Sequence, residues 1–147
     1  MGVANPAQGQ MIAEVFRELG RSRALVVHGA GTDEIAVHGT TQVWELKEDG
    51  EIISYEMTPE ELGVQACELT ELVGGDGVEN ATHMRAIFDG SGPVAHRNAV
   101  AVNAGAMFYL NSRVESLREG TEHALQLLAD GTVAQWLNKH EEIDYRG

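Results

Sequence analysis

Ala24-Leu25-Val26-Val27-His28-Gly29-Ala30-Gly31-Thr32-Asp33-Glu34 is the stretch on which the fold turns. Its first four residues form an unbroken apolar run, too short for a helix and enriched in β-branched side chains. Such a run suits a strand covered on both faces, as in a parallel sheet. The glycine-rich segment that follows makes a flexible loop at the carboxyl end of that strand. In open α/β sheets, ligands gather at that end.

Upstream of this strand, Asn5-Pro6 reads as a helix start, with Asn as the cap and Pro at the first helical position. Ile12, Val15, Phe16 and Leu19 then recur at helical spacing and predict one apolar stripe. Gly20 supplies the left-handed residue that ends the helix. Val3 is the stump of an earlier strand, so the beginning of the chain is a βαβ unit whose first strand is cut short.

Downstream, residues 42–46 and 51–57 flank Glu48-Asp49-Gly50 and predict a hairpin. Thr58-Pro59-Glu60-Glu61 is a capping box expected to open a short helix stopped by Gly63. Asp76-Gly77-Val78-Glu79 is a second capping box. Behind it, Ala81, Met84, Ile87 and Phe88 are expected to form a buried face ended by Asp89-Gly90. Pro93 starts a long helix to about Leu110, whose Ala99, Ala101, Ala104, Gly105 and Ala106 fit close packing on several sides. Leu117, Ala124, Leu125 and Leu128 belong to a further helix, ending at Asp130-Gly131. Thr132 with Gln135 is expected to cap a last one bearing Val133, Trp136 and Leu137. The predicted class is α/β: a mixed sheet with a hairpin, covered by helices, in one continuous unit.

Composition narrows the function. The chain has 147 residues, with 10 Lys and Arg against 23 Asp and Glu, a net charge of −13. It lacks the basic footprint expected of a nucleic-acid or anionic-membrane binder. Phosphorylated ligands remain open, held through backbone donors or metal ions. A single cysteine, Cys67, excludes an intramolecular disulfide framework and a Cys-only zinc site, and reads as a small hydrophobe. No apolar run is long enough to span a membrane. Met1 to Gln10 resembles no secretory signal, and a cytoplasmic setting is expected.

Asp33 and Glu34 are the candidate metal ligands. Mg²⁺ prefers one or two carboxylates together with substrate phosphates and water, so the loop suits holding Mg²⁺ against a diphosphate. Composition alone favours the plainer reading, two solvated loop acids among many. His28 is expected to orient the loop by hydrogen bonding. His38, His83, His96, His123 and His140 show no metal-ligand spacing and read as surface or interface residues. Trp44 and Trp136 read as packing residues, and Arg85 and Arg97 as partners in ordinary ion pairs. No nucleophile or general base is nominated.

Residues 26–35 resemble the "VVHG-x-G-x-DE-[IL]" stretch of the anthranilate phosphoribosyltransferase family. Leu72-Val73-Gly74-Gly75-Asp76 with Glu79-Asn80-Ala81 resembles that family's "L-x-GGD-x-x-ENA". Gly92-Pro93, Arg97-Asn98-Ala99-Val100 and Asn103-Ala104-Gly105-Ala106 resemble its "GP-x-x-RDAV-x-x-NA-[GA]-A". The pieces stand in the family's order, and the likeness runs from Gly2 to about Tyr145.

The resemblance implies the C-terminal portion of a nucleoside phosphorylase/phosphoribosyltransferase-type domain. It also implies transfer of the phosphoribosyl group of phosphoribosyl pyrophosphate to anthranilate, releasing pyrophosphate, in tryptophan biosynthesis. By position, Asp33 and Glu34 take the role of the family's pair that helps bind two Mg²⁺ ions, with Glu34 the better candidate for touching both. Residues 1–147 would be a partial domain. The family's N-terminal helical domain, its "GTGGD" phosphate-binding loop, its "KHGNR" segment and its anthranilate-contacting arginine have no counterpart here. Gly74-Gly75-Asp76 matches a different segment from that phosphate loop.

The isolated chain is therefore expected to be inactive and to need the missing part, in the same protein or in trans. Homo-oligomerisation stays open. So do three other readings: a non-catalytic binding or assembly module, a pyrimidine nucleoside phosphorylase, and a phosphoribosyltransferase with another acceptor. The Asp-Glu loop argues against the phosphorylase.

Overall fold

Val26 and Val27 point to opposite faces of one strand, and both are almost wholly buried. Helices cover that strand on both sides. A computed structural model describes residues 1–141; residues 142–147, Tyr145 among them, lie outside the described part. In chain order the elements are α1 (Gly9–Glu18), β1 (Ala24–Gly29), β2 (Thr41–Leu46), β3 (Ile52–Met57), α2 (Gly77–Phe88), α3 (Val94–Leu110), α4 (Leu117–Ala129) and α5 (Thr132–Glu141). Short 3-10 turns occupy Pro6–Gln8 and Leu69–Leu72.

The three strands form a meander in the order β1-β2-β3, with both pairings antiparallel. The expected parallel neighbour is reduced to a bridge between Gly2 and Val27 on the free edge of β1. There Val27 N–H donates to the Met1 carbonyl and Val3 N–H to the Val27 carbonyl, each at 2.9 Å. The sheet is mixed, and β1 owes its double burial to the layers above and below it rather than to parallel strands on both sides. One layer packs Val3, Ile12, Ala13, Phe16, Val26, Trp44 and Ile52 between α1 and the sheet. The other packs Leu25, Val27, Val43 and Met57 against Ile35, Val37, Val102 and Ala106. Each fully buried Val or Leu contributes about 1.5–3 kcal/mol, so two such layers anchor β1 firmly.

Local chemistry sets most of the element ends. Asn5 Oδ1 accepts from Ala7 N–H at 3.0 Å, and Gly20 adopts φ +71°, as expected. Asp76 and Glu79 close their capping box at the start of α2. Ser116 caps α4.

Five expectations are corrected. Val15 and Leu19 are exposed, because α1 buries Gly9 and Ala13 instead; these small residues let the helix come close to the Trp44 ring. The box at 58–61 does form, with Thr58 N–H on Glu61 and Glu61 N–H on Thr58, but it closes a turn and no helix follows. Of the face expected on α2, only Ile87 is buried; Ala81 and Met84 are exposed and Phe88 is half-buried. Asp130, rather than Thr132, serves the start of α5, its Oδ1 accepting from Thr132 N–H at 3.0 Å. Trp136 is 61% exposed and stacks on His140.

β2 carries one unexpected charge inward. Glu45 is 2% exposed on the face shared with Thr41 and Val43. Its carboxylate accepts from the Tyr55 hydroxyl at 2.9 Å and the Tyr109 hydroxyl at 2.7 Å, and it pairs with Lys47 Nζ at 2.9 Å. A buried carboxylate is tolerated only when its lone pairs are occupied in this way. The hydrogen bond to Glu45 raises the Lys47 pKa, and burial, reinforced by Glu45, raises that of Tyr55. This cluster ties β2 to β3 and α3 on the side of the sheet facing α3.

Candidate active site

The loop after β1 is built by hydrogen bonds rather than by apolar burial. Ala30 (φ +46°) and Gly31 (φ +92°) turn the chain sharply. Gly29 and Thr32 then exchange backbone bonds of 3.0 and 2.9 Å across the turn, and Thr32 Oγ1 adds a bond of 2.8 Å to the Gly29 carbonyl. A second set of tethers follows directly. Ala36 N–H donates to Thr41 Oγ1 at 2.9 Å, with Thr41 wholly buried. Ile35, Ala36 and Val37 go into the core. Asp33 and Glu34 therefore stand as exposed residues between two anchored segments.

Residues 1–3 press on the same loop. A Cβ at Gly2 would lie 1.5 Å from the Asp33 carbonyl oxygen, so only glycine admits this approach. The hydrogen bond of His28 does not go to the loop it was expected to orient: its Nδ1 lies 2.9 Å from the Val3 carbonyl and so ties the N-terminal segment to β1.

Two clefts meet at Glu34, and Asp33 lines the smaller. The larger, about 530 Å³, lies between the loop, the turn at 69–72, α2 and α3; Thr32, Glu34, His38, Leu72, Ile87 and His96 contribute to its walls. The smaller, about 300 Å³, opens beside Met1, Gly2, Asp33, Glu34 and Met107. Glu34, Ile35 and Asn103 line both. The larger is mostly apolar, as small-molecule sites commonly are.

Among the described residues, neither the Asp33 nor the Glu34 carboxylate accepts a hydrogen bond or stands at ion-pair distance from a cation, although the charge of Glu34 acts on the half-buried Met1 ammonium. Nor does any group of three or more His, Cys, Asp or Glu stand close enough together to cage a metal. Two free hard-oxygen donors without a complete protein cage fit Mg²⁺ better than zinc or calcium: Mg²⁺ takes one or two carboxylates and completes its octahedron with ligand phosphates and water.

The other singled-out residues distribute as follows. His38, His96 and His140 are half-buried, the first two beside the larger cleft, while His83 and His123 are exposed. Among the described residues Arg97 makes no ion pair; Nη1 donates to the Gly90 carbonyl at 2.7 Å and so holds the end of α2. Arg85 sits exposed in the last turn of α2. Trp44 packs under α1 as expected. Cys67 is half-buried against the core, with its thiol pKa raised first by burial and further by Glu71 and Glu68. No helix among the described residues is long and apolar enough to cross a membrane.

Residues 1–134 match the sequence model of the glycosyl transferase family, a/b domain. The chain belongs to this family. Within the family it is 84% identical over 147 residues to a protein from Corynebacterium efficiens named anthranilate phosphoribosyltransferase, and 45% identical over 143 residues to one of the same name from Shewanella sp. (strain ANA-3). These alignments take in 100% and 97% of the chain but 43% and 41% of those proteins, so the chain spans well under half their length.

The fold is shared with the crystal structure of anthranilate phosphoribosyltransferase from Thermus thermophilus. That comparison has a TM-score of 0.85 and 38% identity, covering 95% of this chain and 40% of that one. The enzyme from Saccharomyces cerevisiae in complex with PRPP and Mg has the same fold at 20% identity, with a TM-score of 0.78 and 93% and 40% coverage. The α/β class and the family expected from the motifs are thus both found. Asn103, Thr41 and Gly2, which hold the acidic loop in place, were not singled out as site residues. Asn103 does fall within a motif segment; nothing about Thr41 or Gly2 signals the contact.

Proposed function

We propose that this chain is the C-terminal, metal-binding portion of an anthranilate phosphoribosyltransferase. It would act within a longer polypeptide that moves the phosphoribosyl group of phosphoribosyl pyrophosphate onto the amine of anthranilate. The observation that carries this reading is the 84% identity to the Corynebacterium efficiens protein over the whole chain, acidic loop included. In the reaction the bond from the ribose carbon to pyrophosphate breaks, a carbon–nitrogen bond to the anthranilate amine forms, and the amine releases a proton.

Asp33 and Glu34 are the residues that would hold Mg²⁺, offering exposed carboxylates that accept no hydrogen bond among the described residues. Bound there, Mg²⁺ would supply charge neutralisation on the departing pyrophosphate. The chain's own share is positional. The turn at Gly29–Thr32 and the tethers on Ile35 and Ala36 hold Glu34 at the junction of the clefts, with Asp33 beside it on the smaller, before ligand arrives. Preorganised charge of this kind needs no rearrangement at the moment of reaction.

The test uses two proteins. One is the 147-residue chain alone. The other is the Corynebacterium efficiens relative with these 147 residues in place of its own matching segment. With Mg²⁺, phosphoribosyl pyrophosphate and anthranilate, the hybrid is expected to form phosphoribosylanthranilate and the chain alone to form none. A silent hybrid that is folded would contradict the proposed activity. Turnover by the chain alone would show that the acceptor and phosphate sites lie within these residues.

A further inference from the structure

Asn103, on α3, is 68 residues from Ile35 in sequence yet bonds its backbone from both sides. Its Oδ1 accepts from Ile35 N–H at 3.0 Å, and its Nδ2 donates to the Ile35 carbonyl at 3.1 Å. The remaining Nδ2 hydrogen goes to the Ala99 carbonyl one helical turn back, at 2.9 Å, which fixes the side-chain rotamer. Every hydrogen-bonding group of the amide except the second oxygen lone pair is thus used, on a residue that also lines both clefts. Ile35 is the residue next to Glu34, and its side chain is 4% exposed.

From this geometry we infer that Asn103 is the positioning residue of the acidic loop: its carboxamide clamps the Ile35 peptide groups to α3 and so sets where the Asp33 and Glu34 carboxylates stand. The inference rests on the proposed reading of those acids as divalent-cation ligands. The alternative for an asparagine on a helix is a bond to a carbonyl one turn back and nothing more. Asn111, which caps the C-terminal end of α3, makes only that side-chain bond, donating to Met107. Asn103 makes the same local bond and two more across the fold, which a purely helical role does not require.

The clamp predicts separable effects on order and on cation binding, both measurable on the full chain. The probes are amide hydrogen exchange at Ile35 and line broadening by Mn²⁺, a paramagnetic stand-in for Mg²⁺, at residues 33–35. In Asn103→Ala, exchange at Ile35 is expected to accelerate about tenfold or more relative to Val43 in β2. Mn²⁺ broadening at residues 33–35 is expected to fall by about threefold or more at the same metal concentration. Asn103→Asp keeps an oxygen for Ile35 N–H but sets the other, in place of the donor, against the Ile35 and Ala99 carbonyls. Exchange at Ile35 is expected to accelerate about threefold or more relative to Val43 here too, unchanged exchange overturning the clamp, so this variant carries the test should the alanine variant not fold.

Unchanged exchange at Ile35 in Asn103→Ala overturns the clamp. Faster exchange with undiminished Mn²⁺ broadening overturns the positioning role. If wild-type chain shows no broadening at residues 33–35, the cation reading of the loop fails, and the exchange result still separates that failure from a failure of the clamp.

Discussion

Glu34→Gln is expected to lower kcat/KM for phosphoribosyl pyrophosphate by about a hundredfold or more in the hybrid protein, since removing one charge-stabilising group from a preorganised site typically removes that much. Glutamine keeps the size and one oxygen but loses the negative charge that competes for Mg²⁺. The substitution should not disturb the fold, because Glu34 is exposed and its carboxylate accepts no hydrogen bond among the described residues. Raising Mg²⁺ should recover part of the lost rate, which a folding defect would not do. Glu48→Gln, in the hairpin turn, removes an equal charge from another exposed position and is expected to leave the rate unchanged. That comparison separates a metal-holding acid from a solvated one. Equal rates for Glu34→Gln and wild type would return Asp33 and Glu34 to the status of ordinary surface carboxylates.

Gly105→Val is expected to have the largest effect on stability. A Cβ at Gly105 would lie 2.5 Å from the Thr121 nitrogen and 2.6 Å from the Gly120 carbonyl carbon. Conversely, a Cβ at Gly120 would lie 2.3 Å from the Gly105 carbonyl oxygen. The obstructing atoms are backbone, so no side chain can swing aside and the helices α3 and α4 must separate. Two effects oppose each other. Replacing a helical glycine by a residue with a side chain favours the helix by up to about 1 kcal/mol. Overpacking a tight contact costs about 1–3 kcal/mol or more. With valine's two γ-methyls against immovable backbone the second effect wins, and a net loss of about 2 kcal/mol or more is expected, read as a fall of roughly 4–8 °C or more in Tm. A melting curve within about 2 °C of wild type would mean that the helices are not in contact at these glycines.

Where turn chemistry acts over a few residues, the fold was legible. The hairpin around Glu48-Asp49-Gly50, the cap at Asp76 and the left-handed Gly20 follow from local preferences that no distant contact reverses. Apart from the box at 58–61, which opens no helix, and the start of α5, misreadings occur where burial depends on what lies across the fold. α1 buries Gly9 and Ala13 because the Trp44 ring demands close approach, and hydrophobicity assigns little weight to either residue. α2 keeps its capping box but buries only Ile87.

Glu45 alternates correctly along β2 and still runs against expectation, since its inward charge depends on Tyr55 and Tyr109, which stand 10 and 64 residues away. The acidic pair itself was legible, because small residues after a buried strand followed by two adjacent carboxylates form a local pattern. Its supports were not. Asn103 and Thr41 look like any polar residue in a helix or strand until the fold brings Ile35 and Ala36 to them.

Calorimetric titration of phosphoribosyl pyrophosphate into the hybrid protein, with and without Mg²⁺, bears most directly on whether this loop holds the cation. Exchanging Asp33 and Glu34 together for alanine is expected to weaken the Mg²⁺-dependent part of binding by about tenfold or more, with any Mg²⁺-independent part retained. If the doubly substituted protein takes up the ligand with the same Mg²⁺ dependence as wild type, the metal is held elsewhere and the role assigned to these two carboxylates is wrong.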